Sequence, residues 1–151
     1  MNGGPRIRVC GLLRRGDAVL LLRQEKSTQT YWMLPGGGVE EGETLEQALR
    51  RELLEECEIA DVALEGPIAI AESISPADMR PRKHVIHIIF HGTAGSGAFE
   101  RVASADGSVT GHRLVHPAEI RSLAVHPPIH RFLERWRPGD PFVHLGHLWA
   151  R

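Results

Sequence analysis

Glu52, Glu55 and Glu56 fall in the stretch LRRELLEECEI, residues 49–59. Wound as a helix at about 100° per residue, the three carboxylates share an arc of about 100° on one face. That arc runs beside the apolar stripe of Leu45, Ala48, Leu49 and Leu53, while Gln47, Arg50 and Leu54 take the far side. A solubilising acidic face lies opposite the apolar stripe. Carboxylates gathered at a core edge instead raise one another's pKa unless a cation sits among them. Hard carboxylate oxygens with no Cys or His in the cluster suit Mg2+, Mn2+ or Ca2+ better than Zn2+. Just upstream, Pro35-Gly36-Gly37-Gly38 forms a turn whose backbone can approach a ligand closely. A glycine loop leading into a helix with acids at its core edge is suited to a divalent metal and a phosphate.

Positioning these groups requires a helix over residues 44–57. Thr44 and Gln47 make a capping box, and neither Gly nor Pro interrupts the span. Ahead of it, residues 6–13 and 18–23 read as a β-hairpin around Arg14-Arg15-Gly16-Asp17, and residues 32–34 as a short strand stopped by Pro35. Residues 60–74 and 84–93 carry strand chemistry. In the second, Ile86, Ile88 and Phe90 alternate with Val85, His87, Ile89 and His91, so both faces are largely apolar and both are covered. A turn at 94–97, a polar loop at 104–111, a last strand at 113–115, a helical turn at 117–122 and a second helix at 128–135 complete the reading. Residues 138–151 give no pattern. The expected fold is α/β, a mixed sheet between helices, in one domain over 1–151.

Composition excludes several classes of function. The chain of 151 residues is 42% hydrophobic and 25% charged, with a formal net charge of −1. That balance provides no global attraction to nucleic acid or anionic membrane. The longest apolar runs are too short to span a bilayer, and the first nine residues lack the apolar core of a secretory signal. Cys10 and Cys57 have no metal-type spacing. A reduced, cytoplasmic protein is expected. Sixteen arginines against two lysines suggest a GC-rich, bacterial genome.

Gly37, Glu43, Arg51-Glu52-Leu53, Glu55-Glu56 and Ile59 stand at the spacing of the Nudix box, which this segment resembles. Eight of the nine specified positions match. The family hydrolyses nucleoside diphosphates linked to another moiety, so the resemblance implies a Nudix-type α/β/α sandwich and a Mg2+-dependent hydrolase, with Mn2+ able to substitute. It also implies metal binding by Glu52, Glu55, Glu56 and the Gly36 carbonyl, substrate contact by Gly37 and Gly38, and an ion pair of Glu43 with Arg51 that fixes the loop against the helix. Glu52 is the first candidate for the general base, with Glu100 and Asp106 as later-loop alternatives. The family has Gly where this chain has Glu58. With no Gly or Asn in Cys57-Glu58-Ile59-Ala60, the expectation is that the helix exits without a left-handed residue.

Other residues have a plain reading beside a functional one. His87 is a candidate substrate contact or a satisfied core histidine. Arg23, ending the second strand, is a candidate phosphate contact. Arg80, Arg82, Lys83 and His84 read as a solvated loop, with reach to a phosphate or a terminal sugar as the alternative. Trp32 reads as core, with stacking on a base by Trp32 and Tyr31 as the alternative, and His144 with His147 are too sparse for a metal site. The substrate classes left open are ADP-ribose, an NDP-sugar or a modified dNTP. Pro76, seventeen residues past Ile59, points weakly to the first. Small nucleotides are the expected partners, and a homodimer is compatible. The alternative function is a silent Nudix-like module that binds a nucleotide without cleaving it.

Overall fold

The computed structural model describes residues 3–95 and 109–149. Strand β1 (Arg6–Arg15) turns at Gly16, with φ of 58°, into β2 (Ala18–Lys26), giving the expected hairpin. β3 (Gln29–Met33) pairs back on β2, and β4 (Gly36–Gly38) lies against β1. Helix α1 (Leu45–Cys57) follows, then β5 (Val62–Ile74), β6 (His84–Ala94), β7 (Val109–Val115), α2 (Pro117–Ile120), α3 (His130–Arg135) and β8 (Val143–His147).

β1 organises the sheet. It runs parallel to β6 from Arg6 to Leu13, and its other edge is shared, with β4 against Arg8 to Cys10 and β2 against Arg14 and Arg15. The order is β3-β2-β1-β6-β5-β8, with β4 on β1 and β7 on β2. The period-2 alternation of strand side chains sorts the core into two layers. Val9, Leu13, Leu20, Leu22 and Phe90 pack with Ala48, Leu49 and Leu53 of α1. Cys10, Leu12, Val19, Leu21 and Ile89 pack instead with Ile120 of α2 and Phe132 and Leu133 of α3. Helices therefore cover a mixed sheet on both sides, and β6 has the two apolar faces its sequence implied. Among the described residues no helix is long and apolar enough to cross a membrane.

The capping box forms as expected: the Gln47 amide donates to Thr44 Oγ1 at 3.1 Å, and the Thr44 amide donates to Gln47 Oε1 at 2.9 Å. The other end of the helix corrects the sequence reading. Glu58 does take the left-handed conformation, φ 54° and ψ 30°, while the amides of Glu58 and Ile59 donate back to the Leu54 and Leu53 carbonyls at 3.1 Å. Those two bonds, together with burial of Ile59 against α1, hold a glutamate where glycine costs less. Elsewhere α3 begins at His130, so Pro127 and Pro128 precede the helix. β7 starts at Val109, inside the expected polar loop. The C-terminal stretch is structured, because β8 pairs in parallel with β5 from Ala69 to Glu72.

Candidate active site

Arg51 is the hub of the β4–α1 segment. Its Nε and one terminal nitrogen take Glu43 in a two-toothed grip at 2.7 and 2.8 Å, and that same terminal nitrogen donates to the Gly38 carbonyl at 3.0 Å. The remaining nitrogen reaches Glu52 at 2.8 Å and Glu55 at 3.5 Å. Arg51, aided by the Glu40 amide, holds the Glu43 carboxyl down to about 2. The carboxylate hydrogen bonds in turn push the Arg51 pKa further above its ordinary value. The fixed fork of arginine suits this work, since a lysine has no geometry to grip a carboxylate and a carbonyl together.

Gly37 explains where Glu52 sits. A Cβ at Gly37 would stand 2.3 Å from Glu52 Cδ and 2.4 Å from Oε1, so the absent side chain leaves the hollow that the carboxylate fills. Glu56 is held from the same strand, with the Gly36 amide donating to its Oε1 at 2.9 Å. Glu55 is the most exposed of the three, its side chain 53% accessible. The donors around this point are carboxylate and backbone oxygens, which fit a hard divalent cation. Among the described residues no three His, Cys, Asp or Glu side chains converge closely enough to hold a metal as they stand. Binding one would draw Glu52 and Glu55 away from Arg51, and Glu56 away from the Gly36 amide.

A cleft opens beside Arg8 of β1 and His87 of β6. Arg8, paired with Gly38 on one side and His87 on the other, donates to the Leu34 carbonyl at 3.2 Å. Arg8, Ser73 and His87 line a space of about 270 Å3 with Met33, Pro127 and Trp149. His87 is buried, its Nε2 3.0 Å from Ser73 Oγ, and burial with the nearby Arg8 charge lowers its pKa to about 4. It is thus both a core histidine and a cleft residue. Arg23 turns to β7, donating to Thr110 Oγ1 at 3.1 Å and the Thr110 carbonyl at 2.9 Å. Glu100 and Asp106 lie outside the described residues. Sequence reasoning missed Arg8, Ser73 and Trp149. Trp149 reaches the cleft because β8 carries the tail back along β5, a pairing that no local pattern announces.

A family model described as the NUDIX domain matches residues 4–136. The chain belongs to that family. It is 35% identical over 91 residues to an ADP-ribose pyrophosphatase of Methanocaldococcus jannaschii, a match covering 57% of this chain and 49% of the relative. It is 43% identical over 51 residues to the nucleoside triphosphatase NudI of an Enterobacter species, covering 32% of this chain and 36% of that one. The chain thus spans about half or less of these curated relatives. A crystal structure of a NUDIX hydrolase from Nitrosomonas europaea superposes with a TM-score of 0.73, at 23% identity, covering 98% of this chain and 81% of that one. That likeness establishes the Nudix sandwich.

Proposed function

We propose that this Nudix chain is a pyrophosphohydrolase cleaving the diphosphate linkage of a nucleoside diphosphate derivative in the presence of Mg2+ or Mn2+. The observation that carries the reading is the lodging of the Glu52 carboxylate in the hollow left by Gly37. That packing couples the loop suited to phosphate to the helix suited to metal. Glu52, Glu55 and Glu56, with the Gly36 carbonyl, are the residues that would hold the cation. Bound there, a divalent metal supplies charge neutralisation for the diphosphate and a water of lowered pKa.

The chain's own residues do the rest. Arg51 and Glu43 lock the loop to the helix, so the acids and the glycine backbone meet the same phosphate. Gly37 and Gly38 let that backbone approach closely. Glu52 is the first candidate to take the proton of the attacking water, with Glu100 and Asp106 as alternatives, and Arg23 and His87 are the candidate substrate contacts. The names of the two curated relatives support ADP-ribose and a nucleoside triphosphate as substrates to try first. Retention of all three acids supports an enzyme over a silent nucleotide-binding module.

A panel of ADP-ribose, NDP-sugars, Ap4A and canonical and oxidised dNTPs, assayed with and without Mg2+ or Mn2+, tests the reading. Metal-dependent release of a nucleoside monophosphate is expected, and Glu55→Gln or Glu56→Gln should lower kcat by at least ~100-fold. Turnover near wild type in both variants would overturn the assignment.

A further inference from the structure

The sequence contains only two lysines, Lys26 and Lys83, and the fold brings them together. Lys26 ends β2, and Lys83 directly precedes β6. Both line one cavity, and the neighbouring Lys26 ammonium lowers the Lys83 pKa from its ordinary value. Among the described residues no carboxylate forms an ion pair with either lysine. Several arginines of the chain are ion-paired, whereas the two lysines together make a cationic point on the wall of that cavity.

That point borders a cavity of about 620 Å3, which Ser27, Thr28 and Gln29 line with hydroxyl and amide groups. Tyr31 and His126, packed edge to face with centroids 4.3 Å apart, form part of its wall. Gln24, Lys83, His126 and Trp149 line this cavity and the space around Arg8 and His87 alike, so the two adjoin. Two buried nitrogens of residues in that cleft, His87 Nδ1 and Trp149 Nε1, have no hydrogen-bond partner among the described residues. Such groups cost stability unless something in the cleft meets them. Lys83 thus faces the space that holds Arg8 and His87 as well as the cavity that holds Lys26, and the polar and aromatic groups of these walls suit a nucleoside.

We propose that Lys26 and Lys83 bind a phosphomonoester on the nucleotide, separate from the diphosphate that is cleaved. This rests on the Nudix reading above and narrows its substrate class to nucleotides with an additional phosphate, such as one on the ribose. A phosphomonoester carries close to two negative charges at neutral pH and offers three acceptor oxygens. Two ammonium groups with three donors each match it in charge and in hydrogen bonding. A carboxylate would leave one lysine uncompensated.

Calorimetric binding without divalent metal separates this proposal from the catalytic one, because no hydrolysis is read. The probes are 5′-AMP, adenosine 3′,5′-bisphosphate, adenosine 2′,5′-bisphosphate and inorganic phosphate. At least one bisphosphate should bind wild type ~10-fold or more tightly than 5′-AMP and than phosphate alone, with an affinity that weakens as salt rises. Lys83→Gln and Lys26→Gln should each remove most of that preference, while Lys83→Arg should keep it. Both lysines are exposed, so the variants should keep the wild-type Tm. Equal binding of 5′-AMP and both bisphosphates, equally tight binding of inorganic phosphate, or a preference that survives both Gln variants overturns the proposal. A bisphosphate preference in a protein that hydrolyses neither the panel nor nucleoside diphosphate derivatives bearing a 2′- or 3′-phosphate would leave the lysine site standing and remove the catalytic reading alone.

Discussion

The Glu52 carboxylate occupies the space that a side chain at Gly37 would need, with the built Cβ 2.3 Å from Glu52 Cδ. The group in the way is the end of a flexible side chain, and Gly37 does not have a positive φ that would exclude alanine. Gly37→Ala should therefore fold and push Glu52 out of its hollow. A misplacement of about 1 Å in a catalytic group costs on the order of 100-fold. The expected result is a kcat loss of ~10–100-fold with a Tm close to wild type. A large fall in Tm with unchanged kcat per folded molecule would show that Gly37 serves the backbone and not the carboxylate.

Arg51 should behave differently, because it joins Glu43, the Gly38 carbonyl, Glu52 and Glu55 at once. Removing it leaves clustered carboxylates with no cation among them. Arg51→Ala should lower Tm measurably and activity by at least ~10-fold, and Arg51→Lys should recover little, since an ammonium cannot reproduce the fork. Glu56→Gln, by contrast, should lower activity with Tm unchanged, because an amide oxygen still accepts from the Gly36 amide. Full thermal stability in Arg51→Ala with catalysis lost would assign Arg51 to the substrate.

Much of this arrangement is readable in the sequence where the signal is local. The capping box of Thr44 and Gln47 starts α1 where it should, and the alternation through Ile86 to His91 sorts β6 into two covered faces. The family resemblance supplied the box residues, and the structure shows how Arg51 and the glycines hold them. What the sequence hides is non-local. β8 is five residues long, with a glycine at position 146, and it is a strand only because β5 presents a free edge to it. Trp149 enters the cleft through that pairing. Lys26 and Lys83 sit in unrelated segments, the second read as solvated loop, and they meet only on the wall of one cavity.

His87 gives the protein a titration of stability. Burial, then the neighbouring Arg8 charge, lowers its pKa from 6.5 to about 4. The folded state therefore prefers the neutral ring. For a depressed histidine the stabilisation is fully present above pH 6.5 and is lost as pH falls through the window down to about 4. The loss should reach about 2–3 kcal/mol at the lower end, at roughly 1.4 kcal/mol per pH unit of difference. Denaturant unfolding of wild type and His87→Gln from pH 7.5 to 4 checks this. The wild-type curve should fall more steeply below pH 6.5, and parallel curves would show that the ring titrates normally.

Glu58 tests the one break in the box. Its φ of 54° puts a residue with a Cβ in the left-handed region, which costs about 1–2 kcal/mol relative to the right-handed one. Glycine carries no such cost there but adds unfolded-state entropy, about 0.5–1 kcal/mol relative to alanine. The balance favours Glu58→Gly by up to about 1 kcal/mol, or about 2–4 °C in Tm for a chain of this size. Glu58 is exposed and makes no side-chain hydrogen bond or ion pair among the described residues, so nothing is lost with its carboxylate. The backward bonds to Leu53 and Leu54 come from the backbone and survive the change. Glu56, two residues earlier, keeps its bond to the Gly36 amide, and kcat should stay within about twofold of wild type. A lower Tm for Glu58→Gly would mean that the helix leaves by a route other than the left-handed turn.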